Sequence, residues 1–195
     1  MVLAFDFLDV MAWDVFLSAF LLFMGTITLH YNSSLGFGDE SKDLRKGFAV
    51  AAGAAGFYLF VSGMMISFSW PFSLSGGVYN VLFGGVATLG GLLLLTGAFV
   101  VFLNGSLRPV SYFAAAVGLY AVVDAYSIVK YGLTSAPMLC ALGYLSFAAP
   151  ALLSVPAAHL SSKWWKWLFA VFSILFAIAW LYQAANFTYA HLQPP

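Results

Sequence analysis

Long apolar stretches alternate with short polar connections along this chain. An apolar helix of about 20 residues crosses about 30 Å of hydrocarbon, and a closed strand barrel would need alternating polar residues, which the chain lacks. The pattern therefore predicts an all-α integral membrane protein, in which residues 1–195 form a single domain with a bundle of six transmembrane helices. These predicted helices cover residues 11–30, 47–69, 78–103, 110–131, 137–159 and 165–187.

The composition rules out a conventional water-soluble domain. Hydrophobic residues make up 63% of the chain, charged residues make up 7%, and the mean hydropathy is +0.97. Such a chain cannot build a water-facing surface around a core, so the lipid bilayer is its expected partner. No nucleic-acid partner is expected.

The basic residues predict an orientation. Short connections rich in Lys and Arg stay on the cytoplasmic side of a membrane, and six of the seven Lys/Arg lie in or beside the first, third and fifth connections. The chain is therefore expected to be a multi-pass protein of the cell membrane, with these connections in the cytoplasm and both termini outside. The six residues are Lys42, Arg45, Lys46, Arg108, Lys163 and Lys166.

Small residues recur at helical spacing in the second and third predicted helices. Such residues let helix backbones approach closely in a membrane, where hydrophobicity does not drive association. Two interpretations of this pattern stay open. The small residues pack helices together, or some of them line a path for a solute. The packing candidates are Gly53, Gly56, Gly84 and Gly91, and Gly90 and Gly97 repeat at the same interval of seven residues as Gly84 and Gly91.

Two carboxylates fall inside predicted helices, where charge is costly. Asp124 lies among apolar residues in the outer half of the fourth helix, so it must face protein or water. It is either a proton-sensitive or solute-orienting group, or a structural carboxylate bonded to a neighbouring helix. Asp14 lies near the start of the first helix, where a carboxylate suits the helix dipole and can reach water.

Polar aromatic residues near the outer side supply further candidates for solute contact. Trp180 and Tyr182 lie in the outer half of the sixth helix, and Tyr79 and Asn80 open the third. A polar aromatic ring beside an amide can orient a small neutral solute by hydrogen bonds while the rings exclude ions.

Catalytic and cofactor chemistry leaves little trace in the sequence. His30, His159 and His191 lie at predicted helix ends or in the C-terminal tail, without the spacing of a metal or haem site. Cys140 has no cysteine partner and is expected to be a packing residue. The chain is therefore expected not to be an enzyme and to hold no metal and no cofactor.

Three short segments resemble the family of acid-activated urea channels and amide transporters. They are residues 42–56 (KDLRKGFAVAAGAAG), 79–85 (YNVLFGG) and 107–112 (LRPVSY). The chain also resembles an uncharacterised prokaryotic membrane family that shares its Trp-Pro and YN-x-LFG pattern. The first resemblance implies six helices with both termini outside, a pore lined near Phe83, and a hexameric homo-oligomer. Acid gating is not expected, because the short connection 70–77 contains no His.

Two functions follow as hypotheses. The first is a passive channel or facilitator for a small neutral or weakly ionised solute, such as urea, a short amide, ammonia or a short carboxylate. Asp124, Tyr79, Asn80, Phe83, Trp180 and Tyr182 are its candidate pore residues. The alternative is an accessory subunit of a larger membrane complex, with no transport activity of its own.

Overall fold

Six α-helices make up most of the protein in a computed structural model, which describes residues 7–35, 40–69 and 77–191. Each of these helices is long and apolar enough to cross a membrane, and the described part of the chain contains no strand. For the described residues, the predictions of an all-helical chain and of six helices long and apolar enough to cross a membrane are confirmed. The helices are α1 (Phe7–Leu35), α2 (Glu40–Ser69), α3 (Gly85–Phe102), α4 (Arg108–Tyr131), α5 (Pro137–His159) and α6 (Lys163–His191).

Some sequence-based expectations fall on residues outside this description. They include residues 70–76 of the predicted outer connection and the side chains of His30 and His191. The remaining histidine, His159, ends α5, where its ring Nε2 is 3.4 Å from the carbonyl oxygen of Arg108 and its ring is 4.8 Å from that of Tyr112.

Proline and glycine set the boundary between α4 and α5. Gly132 follows the last residue of α4 with a φ of 59°, a left-handed conformation that glycine adopts at little cost, and its N–H bonds to the carbonyl of Ile128. Pro137 is then the first residue of α5, a position at which a backbone N–H would have no acceptor within the helix. Gly132 and Pro137 therefore explain why the sequence predicts where α4 ends and where α5 begins.

The helices form a closed ring. Each one packs against its neighbours in chain order, and α6 returns to pack against α1. Two hydrogen bonds join this last pair, since Trp13 Nε1 donates to Thr188 Oγ1 over 2.8 Å and that hydroxyl donates to Asp9 Oδ1 over 2.5 Å.

The ring has two chemically different ends. We call the end with the start of α1 and the end of α6 the terminal end, and the opposite one the basic end. The six basic residues named above lie at the basic end, and all six are exposed. Lys130 lies at the terminal end, in the last turn of α4.

Glycines allow α2 and α3 to approach closely. A Cβ at Gly56 would lie 2.8 Å from the backbone nitrogen of Leu95, and one at Gly91 would lie 2.7 Å from the carbonyl oxygen of Gly56. A Cβ at Gly84 would lie 2.5 Å from Ser67 Oγ, whereas one at Gly53 would make an ordinary contact. Backbone therefore touches backbone along this interface, at the spacing that small residues permit.

Candidate functional site

The ring encloses a cavity of about 630 Å³ that is lined by residues of all six helices. Its walls are mostly aliphatic and aromatic side chains. Gly90 and Gly97 of α3 border it, and a Cβ at Gly90 would meet no atom within 4 Å. Gly84, just before α3, and Gly91 therefore lie on a different face from Gly90 and Gly97, because the first two meet α2 while the other two leave room at the centre.

Some residues that line the cavity are exposed at the basic end. Leu107 is 45% exposed there and also lines the cavity, as does the exposed Lys166. At the terminal end, lining residues such as Met11 and Tyr144 are each only 4% exposed. Among the described residues, those that line the cavity are therefore exposed towards the basic end and buried at the terminal end, which we call its covered end.

Hydrogen bonds hold two aromatic side chains at the covered end. The hydroxyl of Tyr144 in α5 donates to the carbonyl oxygen of Leu82 over 3.0 Å, in a buried position. Trp180 Nε1 in α6 donates to the carbonyl oxygen of Gly143 over 3.2 Å. Each bond joins two helices, so the covering rings are fixed to the backbone of a neighbouring element.

A π-helical turn contains the carbonyl that accepts from Tyr144. Residues Asn80–Gly84 form this turn just before α3. A π-helical turn widens the helix and shifts the hydrogen-bond ladder by one residue, and such turns are frequent at functional sites. Leu82 lies inside the turn, and Asn80, which begins it, is fully buried.

The structure separates the six pore candidates named from the sequence. Phe83 and Trp180 line the cavity. Tyr79 stacks on Phe83, with ring centroids 5.9 Å apart and an interplanar angle of 20°. Asn80 is buried in the π-helical turn, and Tyr182 is 56% exposed on the outside of the ring.

Asp124 lies on the buried face of α4 and is 7% exposed. Its Oδ2 atom is buried without a hydrogen-bond partner among the described residues. The carboxyl group is close enough to Tyr120 and Tyr144 to interact with them electrostatically. Asp124 is not among the residues that line the cavity, but Tyr144 both lines the cavity and interacts with Asp124.

Two polar side chains of α1 complete the description of the covered end. Ser18 lines the cavity, is 7% exposed, and has no hydrogen-bond partner for its hydroxyl in the described part of the protein. Asp14, one turn earlier, likewise has a buried and unpartnered Oδ2. The sequence had placed Asp14 near water at the start of the first helix, but α1 begins at Phe7 and carries Asp14 into the bundle.

These features define a class: a ring of six helices of membrane-spanning length around an apolar cavity. The chain belongs to the family described as Protein of unknown function (DUF981), whose model matches residues 1–194. Comparison with curated proteins and with solved structures found no match. The family match agrees with the resemblance to an uncharacterised membrane family, and it gives no support for membership of the urea and amide channel family.

Proposed function

We propose that this chain is an integral protein of the cell membrane, with its basic end in the cytoplasm and both termini outside. The outer surface of the ring supports this proposal. Large apolar side chains on it are more than half exposed, as with Phe57 at 61%, Phe99 at 65% and Leu119 at 58%. Exposed apolar surface on this scale is unfavourable in water and suits contact with lipid. The cations at the basic end favour the cytoplasmic side.

In this setting the protein acts as a passive channel or facilitator for a small neutral or weakly ionised solute. The observation that carries this proposal is the cavity enclosed by all six helices, whose described lining residues are exposed at the basic end and include buried aromatic side chains at the terminal end. A closed ring of helices separates such a cavity from lipid. Movement of the rings at the covered end would then complete a path along the axis of the ring.

The walls favour uncharged solutes. Lys166, at the basic end, is the one charged side chain among the described residues that line the cavity. An ion that enters an apolar cavity loses its hydration without gaining a partner, whereas a neutral molecule loses much less. The resemblance to urea and amide channels motivates the choice of the first solutes to be tested.

A flux measurement tests the proposal. The protein is reconstituted into vesicles, and stopped-flow permeation of urea, acetamide, ammonia and acetate is compared with that of empty vesicles. Phe83→Ala enlarges the covered end and is expected to change the rate for the permeant solute. Phe99→Ala, which truncates an exposed aromatic ring further along the same helical segment, is the matched control and should leave the rate unchanged.

A second measurement tests the orientation. Ser106 and Ser135 are exposed and lie in connections at the basic and terminal ends, respectively. In a background in which Cys140 is replaced by Ala, a cysteine at position 135 should react with an impermeant maleimide on intact cells. A cysteine at position 106 should react only after the cells are opened. The reverse pattern would overturn the orientation.

Absence of flux from folded protein would overturn the proposed channel. Stoichiometric co-purification with other membrane proteins after mild detergent extraction would then identify the chain as an accessory subunit.

A further inference from the structure

The central cavity is long and narrow. On α6 it is bordered by Lys166 near the basic end and by Trp180 near the covered end. A helical rise of about 1.5 Å per residue separates these two positions by about 21 Å. The volume of about 630 Å³, spread over that length, gives a mean cross-section of about 30 Å². This shape suits an extended chain better than a round molecule.

An apolar cavity of this size favours a hydrocarbon occupant. Water finds too few hydrogen-bond partners between apolar walls, so such cavities stay dry. An empty cavity forfeits the dispersion contacts of the side chains that line it. In a membrane the alkyl chain of an amphiphile is at hand to restore those contacts.

The wall of the ring is thinnest between α3 and α4. These two helices share the smallest interface of any helices adjacent in the ring. Gly90 and Gly97 of α3 border the cavity, and a Cβ at Gly97 would meet only Val110 of α4, at 3.8 Å. The apolar window of α3 is 17% buried inside the protein, against 28–39% for the other five helices. An alkyl chain that enters from the lipid therefore has the least protein to displace at this interface.

Lys166 supplies the charge beside the cavity. Its side chain lines the cavity, is exposed, and forms no ion pair with any described residue. Among the described acidic side chains only Asp43 lies at the basic end, and it does not line the cavity. Lys166 is the fourth residue of α6, close to a helix start that favours negative charge. The chemical complement of this end is therefore an anionic group.

We propose that the cavity binds a long-chain carboxylate, with the carboxylate at Lys166 and the alkyl chain along the cavity. Carbon–carbon bonds of about 1.5 Å advance an extended chain by about 1.25 Å per carbon, so about 16 carbons span the distance from Lys166 to Trp180. Two chains at a carbon–carbon spacing of about 4 Å would fill the whole cross-section and leave no room for the glycerol of a phospholipid.

This ligand goes beyond the proposed function. Its charged group stays at the exposed end with Lys166 and water, so only hydrocarbon meets the apolar walls. The bound chain occupies the path of the solute and would close the channel. The cavity therefore has a second class of ligand, which regulates passage.

Photolabelling of the full chain in nanodiscs of a zwitterionic phospholipid tests the proposal. The probe is hexadecanoate with a diazirine near the end of its chain. Irradiation should label residues at the covered end, such as Phe83 and Trp180, and unlabelled hexadecanoate should displace the probe. Hexadecanol and hexadecyltrimethylammonium have the same chain without the negative charge, so each should compete at least about tenfold less well. This comparison uses the unaltered protein and does not depend on whether a variant folds.

Two pairs of variants then locate the site. Lys166→Gln should weaken hexadecanoate binding at least about tenfold, whereas Lys163→Gln, which removes an exposed cation of α6 outside the cavity, should leave it unchanged. Gly90→Leu places a side chain in the cavity and should abolish labelling there. Gly47→Leu is its matched control, because a Cβ at Gly47 also meets no atom within 4 Å but Gly47 does not line the cavity. Helical circular dichroism and gel filtration check that each variant is folded.

Several results would overturn the inference. They are labelling confined to outward-facing side chains such as Phe99, equal competition by hexadecanol or the cationic amphiphile, and unchanged binding in folded Lys166→Gln or Gly90→Leu. Displacement of the probe by an anionic phospholipid as readily as by hexadecanoate would also overturn it, and would assign the cavity to a phospholipid chain.

Flux measurements separate this inference from the proposed function. Where a solute permeates, hexadecanoate should slow its flux, and unchanged flux would overturn the regulatory role. Displaceable labelling of the cavity without flux of any solute would leave the binding site in place and overturn the channel. Flux without labelling of the cavity would do the opposite.

Discussion

Adjacent glycines of α3 should respond in opposite ways to the addition of one methyl group. In Gly91→Ala the new Cβ would lie 2.7 Å from both the carbonyl oxygen of Gly56 and the Cα of Phe60. Carbon atoms pack best at about 3.5–4.0 Å, so α2 and α3 must separate by roughly 1 Å, which forfeits a quarter to a half of the dispersion energy across the contact. Both neighbours are backbone atoms, which cannot move aside as a flexible side chain can.

The size of the effect follows from two opposing terms. Overpacking costs about 1–3 kcal/mol, and the upper part of that range applies where backbone is struck. Replacing Gly by Ala within a helix stabilises the helix by about 1 kcal/mol. We therefore expect Gly91→Ala to lower the free energy of unfolding by about 1–2 kcal/mol. In Gly90→Ala, by contrast, the Cβ meets no atom within 4 Å. Only the gain in helix propensity remains, so this variant should be at least as stable as the wild type.

Equilibrium unfolding in mixed micelles of mild detergent and SDS, followed by helical circular dichroism, measures this difference. The two variants differ in position by one residue and are chemically identical, which removes most effects of the denatured state from the comparison. The reasoning would be refuted if Gly91→Ala were as stable as the wild type, or if Gly90→Ala were destabilised to the same degree.

Three further predictions concern the ring. Tyr144→Phe removes the hydroxyl that donates to the carbonyl oxygen of Leu82. It should lower the free energy of unfolding by about 1–2 kcal/mol and raise flux by loosening the covered end. An unchanged free energy of unfolding together with an unchanged flux would contradict this. Thr188→Val removes the link between Trp13 and Asp9 and should lower stability by about 1 kcal/mol, measured in the same micelle assay; full stability would show that α1 and α6 are held by apolar packing alone. Native mass spectrometry from lipid should show a homo-oligomer, and the channel resemblance predicts a hexamer. Detection of the monomer alone would contradict both the homo-oligomer and the hexamer.

The helices of this protein are well marked in its sequence because polar connections interrupt apolar runs. The range 137–159 was expected for the fifth helix, and α5 runs from Pro137 to His159. The first, second and sixth helices extend beyond the expected apolar cores, because α-helical hydrogen bonding continues past the last apolar residue. The π-helical turn Asn80–Gly84 was not predicted, since one widened turn leaves no periodic trace in a helix that is apolar on nearly every face.

The same uniformity limits what the sequence says about the site. Phe83 and Trp180 line the cavity, but Tyr182 faces outwards, and hydrophobic periodicity could not separate them. The sequence does not distinguish Ser18 as a cavity residue, because a single serine in a helix is a weak signal. Only the position of the cavity shows that Ser18 faces the inside of the ring.

Closure of the ring by its first and last helices also bears on how the protein is made. The two hydrogen bonds that join α1 to α6 connect residues 175 and 179 positions apart. The hairpins α2–α3 and α4–α5 can pair as soon as they leave the ribosome, because their contacts are local in sequence. The enclosed cavity, however, exists only once α6 has been synthesised and has docked against α1. Until then the face of α1 that lines the cavity, which includes Ser18, is not enclosed. A nascent chain lacking α6 should therefore depend on the insertion machinery or a chaperone to shield this face.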